Sequence, residues 1–137
     1  IIYNVDKFAE WMKMVRDRGL HEKVKILAGV APIKSVGAAK YMKTRVPGMD
    51  VPQKLVDRMD AAVEGIPSPK TIEYPEEKKE VSRRRREAWE AEGIKICGEV
   101  IQQVRQIEGV AGIHLMAIEW EETVPEIVEA AGLLPRP

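Results

Sequence analysis

Residues 24–31, Val-Lys-Ile-Leu-Ala-Gly-Val-Ala, form a mostly apolar run that ends at Pro32. Apolar residues at successive rather than alternate positions describe a strand buried on both faces, the condition of a strand inside a parallel sheet. Parallel neighbours cannot be joined by a hairpin, so such a strand demands crossover connections, usually helices. The flanking sequence supplies them. On the N-terminal side Asn4 stands where a helix cap belongs, apolar residues recur at Phe8, Trp11, Met12 and Val15, and Gly19 is a stop. On the C-terminal side Ser35 can cap a helix that carries Ala38, Ala39 and Met42 as far as the break at Pro47-Gly48.

Two further β-forming runs extend the pattern. Ile1, Ile2 and Tyr3 read as a strand entered in its middle, with no initiator Met and no preceding turn, so the chain is expected to be truncated. Residues 113–118, Ile-His-Leu-Met-Ala-Ile, follow the glycines at 109 and 112 and read as a third strand, after which Thr123 and Pro125 open a last helix that ends at Gly132. Between these strands a short helix is expected over 51–63, with Pro52 in its first turn and Leu55, Val56 and Met59 on one side. Gly65, Pro67 and Pro69 mark a loop. After Pro75 a long helix runs to about Glu108; its second half has Ile94, Cys97, Ile101 and Val104 on one face with Ile96, Val100 and Ile107 beside them, whereas its first half is charged and wet.

Strands separated by helices are parallel β/α units, and right-handed crossovers place their helices on one outer side. The expected fold class is therefore α/β: the C-terminal portion of a (β/α)8 TIM barrel, with about three parallel strands and flanking helices. Residues 1–137 read as a C-terminal fragment of a single barrel domain, with a charged helical insertion at about 70–92. Three strands do not close a barrel, which takes about 250 residues. A lone fragment would leave a sheet edge and an open core, so it is expected to need its missing half.

Composition narrows the partners. The chain is 45% hydrophobic and 32% charged, the balance of a globular domain, and its 22 basic and 22 acidic residues cancel. With no global field, nothing favours nucleic acid or an acidic surface. No apolar run reaches the roughly 18 residues that span a bilayer, and the first residues do not have the pattern of a cleavable leader. The single Cys97 has no disulfide partner and no zinc-type spacing, which points to a reducing compartment and a cytoplasmic location.

The residues also carry a resemblance. Ile26-Leu27-Ala28-Gly29-Val30-Ala31-Pro32-Ile33, with Ala39-Lys40 and Met42 beyond it, is an apolar strand followed by Gly, an aliphatic residue, one residue, Pro and then a helix. The opening Ile-Ile-Tyr-Asn with Phe8, the Val51-Pro52 pair, the helix over 93–107 and Gly112-Ile113-His114-Leu115 follow in order. Together they resemble the methylenetetrahydrofolate reductase family over nearly the whole chain. The charged stretch between Pro69 and Glu92 departs from the shorter bacterial enzymes and suggests a divergent subgroup.

The resemblance implies reduction of 5,10-methylenetetrahydrofolate to 5-methyltetrahydrofolate by hydride transfer from reduced FAD, in the one-carbon metabolism that feeds methionine. It implies NAD(P)H or a protein electron donor as the source of electrons, and an oligomer or a partner subunit. Barrel active sites lie at the C-terminal ends of the strands, here Tyr3-Asn4, residues 30–35 and residues 116–122, and these stretches should converge. By position the implied folate-binding residues are Ala38, Met42, Met116, Ile118 and Trp120. Ala38 stands where many members have Gln, Met42 where many have Phe, and Met116, Ile118 and Trp120 where relatives carry Tyr, Leu and Arg. Met42 can still give polarisable contact to a ring, and Trp120 can stack where Arg would pair. Met42, Met116 and Ile118 are equally open to a plain core or barrel-lining role. No catalytic residue is expected in this fragment, because the family's catalytic Glu belongs to the first barrel strand, and no cofactor-binding residue, because the FAD contacts lie mostly in the absent N-terminal half.

Other polar residues have simpler explanations. Glu119, Glu121 and Glu122 read as a solvated loop or first-turn acids rather than an acid/base set. His114 reads as a packed, hydrogen-bonded histidine, His21 as a turn neighbour, and Cys97 as a small core residue; none has a companion at metal-ligand spacing, so no metal is expected. Residues 83–86, four arginines, point around most of a helix, and Glu80 stands four residues before Arg84 in the favourable order. That run reads first as a solvated helix, then as a subunit contact, and last as a phosphate or nucleic-acid site. Two other readings of the whole chain remain: another TIM-barrel enzyme, disfavoured because Lys34-Ser35-Val36-Gly37 lacks the glycines of a phosphate cradle, and a non-enzymatic assembly module docked through the charged helix.

Overall fold

The computed structural model describes residues 1–135. Their elements run α1 (Val5–Asp17), α2 (Leu20–Lys23), β1 (Ile26–Val30), α3 (Val36–Arg45), α4 (Gln53–Ala61), α5 (Pro75–Arg105), β2 (Val110–Leu115) and α6 (Val124–Ala130), with single 3-10 turns at Pro69–Thr71 and Glu121–Thr123. The α/β class and the alternation of strand and helix are as expected. The strand count is not, because the described residues form a two-stranded parallel sheet, with α3, α4 and α5 in the crossover between β1 and β2.

Residues 1–3, expected as a strand, lie beside β1 and give it one hydrogen bond, from the Ile2 N–H to the Gly29 carbonyl at 2.8 Å. One bond does not make a ladder. Asn4 turns the chain into α1 immediately after this segment, which ends the pairing there. The last strand begins at Val110, directly after Gly109, rather than at residue 113, so Gly112 lies inside β2 opposite Leu27. Gly109 alone makes the turn, at φ +92°, a torsion that a side chain disfavours.

Local signals account for the helix ends. The Asn4 side chain accepts from the Lys7 N–H at the start of α1, and the Ser35 side chain accepts from the Ala38 N–H at the start of α3. Gly19, at φ +65°, ends α1 and admits the unforeseen short turn α2, which delays β1 until Ile26 and leaves Val24 exposed.

Helix α5 organises the core. Its 31 residues extend about 46 Å. Over the second half Gly93, Ile96, Cys97, Val100, Ile101 and Val104 recur at helical spacing and are buried, as the apolar pattern requires. They meet Ala28 and Val30 of β1, Leu55, Val56 and Met59 of α4, and Ile127 of α6 in one cluster. The first half is wet apart from Val81, and two anchors tie it down: the Trp89 indole N–H donates to the Met59 carbonyl at 2.9 Å, and Arg85 donates to the Ile66 carbonyl at 2.8 Å.

The sheet is covered on one face only. Ala28 and Val30 are buried and Ile113 and Leu115 pack against the core, but Leu27 is 60% exposed and His114 is exposed. Two expectations change here. The strand over 24–31 is not buried on both faces, and His114 is not packed, because both side chains point to the side of the sheet that carries no second layer in this chain.

His21 holds a different surprise. Among the described residues its Nδ1 is the one buried side-chain polar atom without a hydrogen-bond partner, pressed near Gly109 and Met12. An unpaired buried polar atom is destabilising by about 1–3 kcal/mol. His21→Leu is therefore expected to raise stability by about 1 kcal/mol, read as a higher urea midpoint at unchanged slope; a lower midpoint would show that the imidazole is satisfied in solution.

Candidate functional site

Three chain stretches meet at the C-terminal end of the sheet. The Ile2 N–H reaches the Gly29 carbonyl, the Met116 N–H reaches the Val30 carbonyl at 2.8 Å, and the Lys34 ammonium donates to the Glu119 carbonyl. Segments 1–4, 30–35 and 116–122 are thus side by side, as strand order in β/α units requires.

Of the five implied contact residues, the structure makes two groups. Ala38 and Met42 lie one turn apart on α3. Ala38 gives its N–H to Ser35, and Met42 is half-buried, its Sδ accepting the Tyr3 hydroxyl at 3.5 Å. Met116, Ile118 and Trp120 form the second group at the end of β2. Met116 is half-buried, with its Cε over Gly29; Ile118 is 72% exposed; Trp120 is 6% exposed and lies beneath the Lys34 ammonium, 5.7 Å from its ring centroid. Met116 offers apolar surface against the open face at Gly29, and Ile118 exposes its side chain on the turn past β2. Trp120 is turned inward and supports the loop.

The buried groups behind this end are set by desolvation. Burial, with a smaller contribution from nearby Cys97, pushes the Tyr3 phenol above its ordinary range, and burial pushes the Cys97 thiol up to about 12. Both stay neutral at physiological pH, so Cys97 is a core residue and not a nucleophile. Glu119, Glu121 and Glu122 are exposed on the turn past β2, where Glu121 accepts from the Glu119 N–H. Solvated carboxylates on a turn agree with the reading of these residues as surface acids.

On the helical side a cavity of about 170 Å³ touches Tyr3, Asn4, Arg58, Glu99 and Gln103. Arg58 of α4 occupies its wall between Glu92, at 2.6 Å, and Glu99 of α5. The hydrogen bond from Arg58 holds the Glu99 carboxyl below its ordinary 4.5. A depressed carboxylate contributes stability above its unfolded value, and that contribution is lost as pH falls through the folded value. Glu99 is 42% exposed in its side chain, so screening limits the effect to about 1 kcal/mol. Wild type should therefore lose about 1 kcal/mol more than Glu99→Gln between pH 5 and 3, roughly, in parallel urea titrations; identical slopes would remove the Arg58–Glu99 pair as a contributor.

Two members of the arginine run pair with carboxylates along their own helix. Arg83 pairs with Glu80 and Glu87, each at 2.6 Å, and Arg86 lies 3.9 Å from Glu90. The expected Glu80–Arg84 pair gives way to Glu80–Arg83, where the guanidinium also reaches Glu87. Among the described residues no group of His, Cys, Asp and Glu could hold a metal, and no helix is long and apolar enough to cross a membrane.

The strand-end loops do not suit the diphosphate of an FAD. They carry one ammonium, Lys34, which is engaged by a carbonyl and an indole, and no run of glycines presents free N–H groups. What they offer is a shallow apolar rim. Sequence reasoning noticed Lys34 only for the glycines that its loop lacks; the informative signal was a cation two residues past the strand-ending Pro32, opposite a Trp just past the next strand.

No curated protein and no solved structure matches the chain. A family model described as Methylenetetrahydrofolate reductase matches residues 1–132. With nearly the whole chain matched, this protein belongs to the methylenetetrahydrofolate reductase family.

Proposed function

We propose that the chain is the C-terminal part of a flavin-dependent methylenetetrahydrofolate reductase barrel, an oxidoreductase acting on CH–NH groups that converts 5,10-methylenetetrahydrofolate to 5-methyltetrahydrofolate. The family match over residues 1–132 carries this reading. The one-sided sheet agrees with it, since the inner face with Leu27, Gly29, Gly112 and His114 is the side that a closed barrel would enclose. In this reading FAD carries the hydride and is held by barrel elements other than these, so the chain by itself is inactive. Electrons come from NAD(P)H or a protein donor, and the enzyme is cytoplasmic and serves methionine synthesis.

Within this reading the folate ring lies against the rim formed by Met116 and Ile118, with Ala38 and Met42 on its α3 side and Trp120 under the loop. Met42 and Met116 contribute soft, polarisable contact in place of hydrogen bonds. Binding here would therefore depend on ring contact more than on pterin recognition.

The test uses the complete barrel protein, loaded with FAD and freed of oxygen. On addition of 5-methyltetrahydrofolate the flavin absorbance near its visible maximum should bleach, the reverse half-reaction. If FAD binds but no folate derivative changes its spectrum, the substrate assignment is wrong; if no flavin binds at all, the charged half of α5 becomes the main surface to explain, as a docking element for a partner subunit.

A further inference from the structure

We propose that Lys34 is a positioning residue, whose ammonium clasps the loop over 117–122 to the end of β1 and sets the height of Trp120 and Ile118 at the strand ends. Lys34 is the second residue after Pro32, on the loop that leads into α3. Its Nζ donates to the Glu119 carbonyl and stands 5.7 Å from the centroid of the Trp120 ring, inside the range of a cation–π contact. Among the described residues no other side-chain hydrogen bond joins these two loops.

The loop needs such a tie. Glu119 has φ +55°, in the left-handed region that a residue with a side chain rarely enters. Strained torsions persist only where neighbouring contacts hold them. Here the Glu119 N–H is taken by the Glu121 carboxylate at 3.2 Å and its carbonyl by Lys34, so both peptide groups flanking the torsion are pinned. The rest of the turn is tight: the Trp120 N–H reaches the Ala117 carbonyl at 3.0 Å, and the Thr123 hydroxyl donates to the Trp120 carbonyl at 2.9 Å. Trp120 is buried as a result, and the ammonium lies on its face. Three exposed carboxylates stand nearby at 119, 121 and 122, yet among the described residues Lys34 forms no ion pair with them. The cation is held by a carbonyl and an indole, a position that orders backbone rather than balancing surface charge.

The consequence for substrate rests on the reading of these strand ends as the folate-facing side. Lys34 would act through the loop and not by touching the ring, so its loss should weaken folate binding and leave the chemistry of bound substrate intact.

The experiment labels the complete barrel protein with 5-fluorotryptophan and assigns the Trp120 fluorine line by Trp120→Phe. Lys34→Met keeps the apolar stem and removes the charge. It should move the Trp120 line alone and speed amide exchange at Glu119 and Trp120 by about tenfold, while Lys34→Arg restores both. In a Glu119→Gly background, where the torsion is relaxed, Lys34→Met should change exchange far less. An unmoved Trp120 line with unchanged exchange in Lys34→Met overturns the proposal, as does an equal effect in the Glu119→Gly background. In the complete barrel protein Lys34→Met should raise the KM for the folate several-fold at constant kcat, and an unchanged KM overturns the positioning role. If wild type shows no response to folate, the substrate reading falls, and the fluorine and exchange results still decide the clasp.

Discussion

Gly93→Ala is expected to destabilise the protein by about 3 kcal/mol, read as a collapse of the urea midpoint followed by far-UV circular dichroism. A Cβ at position 93 would sit 1.8 Å from the Ile33 carbonyl oxygen and 2.8 Å from its carbon, both backbone atoms in the loop that leaves β1. Nothing flexible stands there to yield. Either α5 must lift off the sheet or the loop that carries Lys34 must move, and each disrupts contacts of Ile33, which is fully buried. The intrinsic gain of alanine over glycine in a helix, about 1 kcal/mol, is already counted against this loss. Gly98→Ala is the control. It lies in the same helix with no atom within 4 Å of the added carbon, so it should stabilise by about 0.5–1 kcal/mol. Equal effects at the two positions would mean that α5 does not approach β1 as closely as described.

Ile101→Ala should have an effect of similar size, about 2–5 kcal/mol. Ile101 is fully buried on the face of α5 that joins β1, α4 and α6, and its truncation removes apolar contact and leaves a cavity in a close-packed interior. Ile101→Val removes one methylene and should lose about 1 kcal/mol. The ratio between the two is informative. Whole single domains have total stabilities of about 5–15 kcal/mol, so in the complete barrel protein a loss of this size removes a large share of the total. A loss below 1 kcal/mol, roughly, would show that the core is loose around this helix.

These two positions also mark where sequence reading succeeds and stops. Ile101 is legible: it recurs with Ile94, Cys97 and Val104 at helical spacing, and a periodic apolar stripe has one physical use, burial against another element. The caps at Asn4 and Ser35 and the stops at Gly19 and Gly132 are legible for the same reason, because each satisfies or ends hydrogen bonding within a few residues. Gly93 is not. In sequence it is an unfavourable residue inside a helix, and only the approach of the Ile33 backbone, sixty residues away in the chain, explains it.

The candidate site divides in the same way. Its motifs were readable in order, enough to point to the family. The placing of Met42 against Tyr3, of Trp120 inward and of Ile118 outward was not, because a side chain's direction past a strand end depends on the turn that follows. The left-handed torsion at Glu119 sets that turn, and a glutamate gives no warning of it. His114 was misjudged as packed because its neighbours are apolar; the missing second layer, not the local sequence, decides that it faces solvent.

The sequence by itself determined the α/β class, the existence of the helices other than α2, the stripe on α5 and the family resemblance, since all of these rest on interactions between residues a few positions apart or on motif order. Only the tertiary structure decided that two strands pair rather than three, which sheet face stays open, that Gly93 must lack a side chain and that Lys34 reaches across to Glu119 and Trp120. Those features depend on atoms brought together from distant parts of the chain, and their energies exist only once the chain has closed around α5.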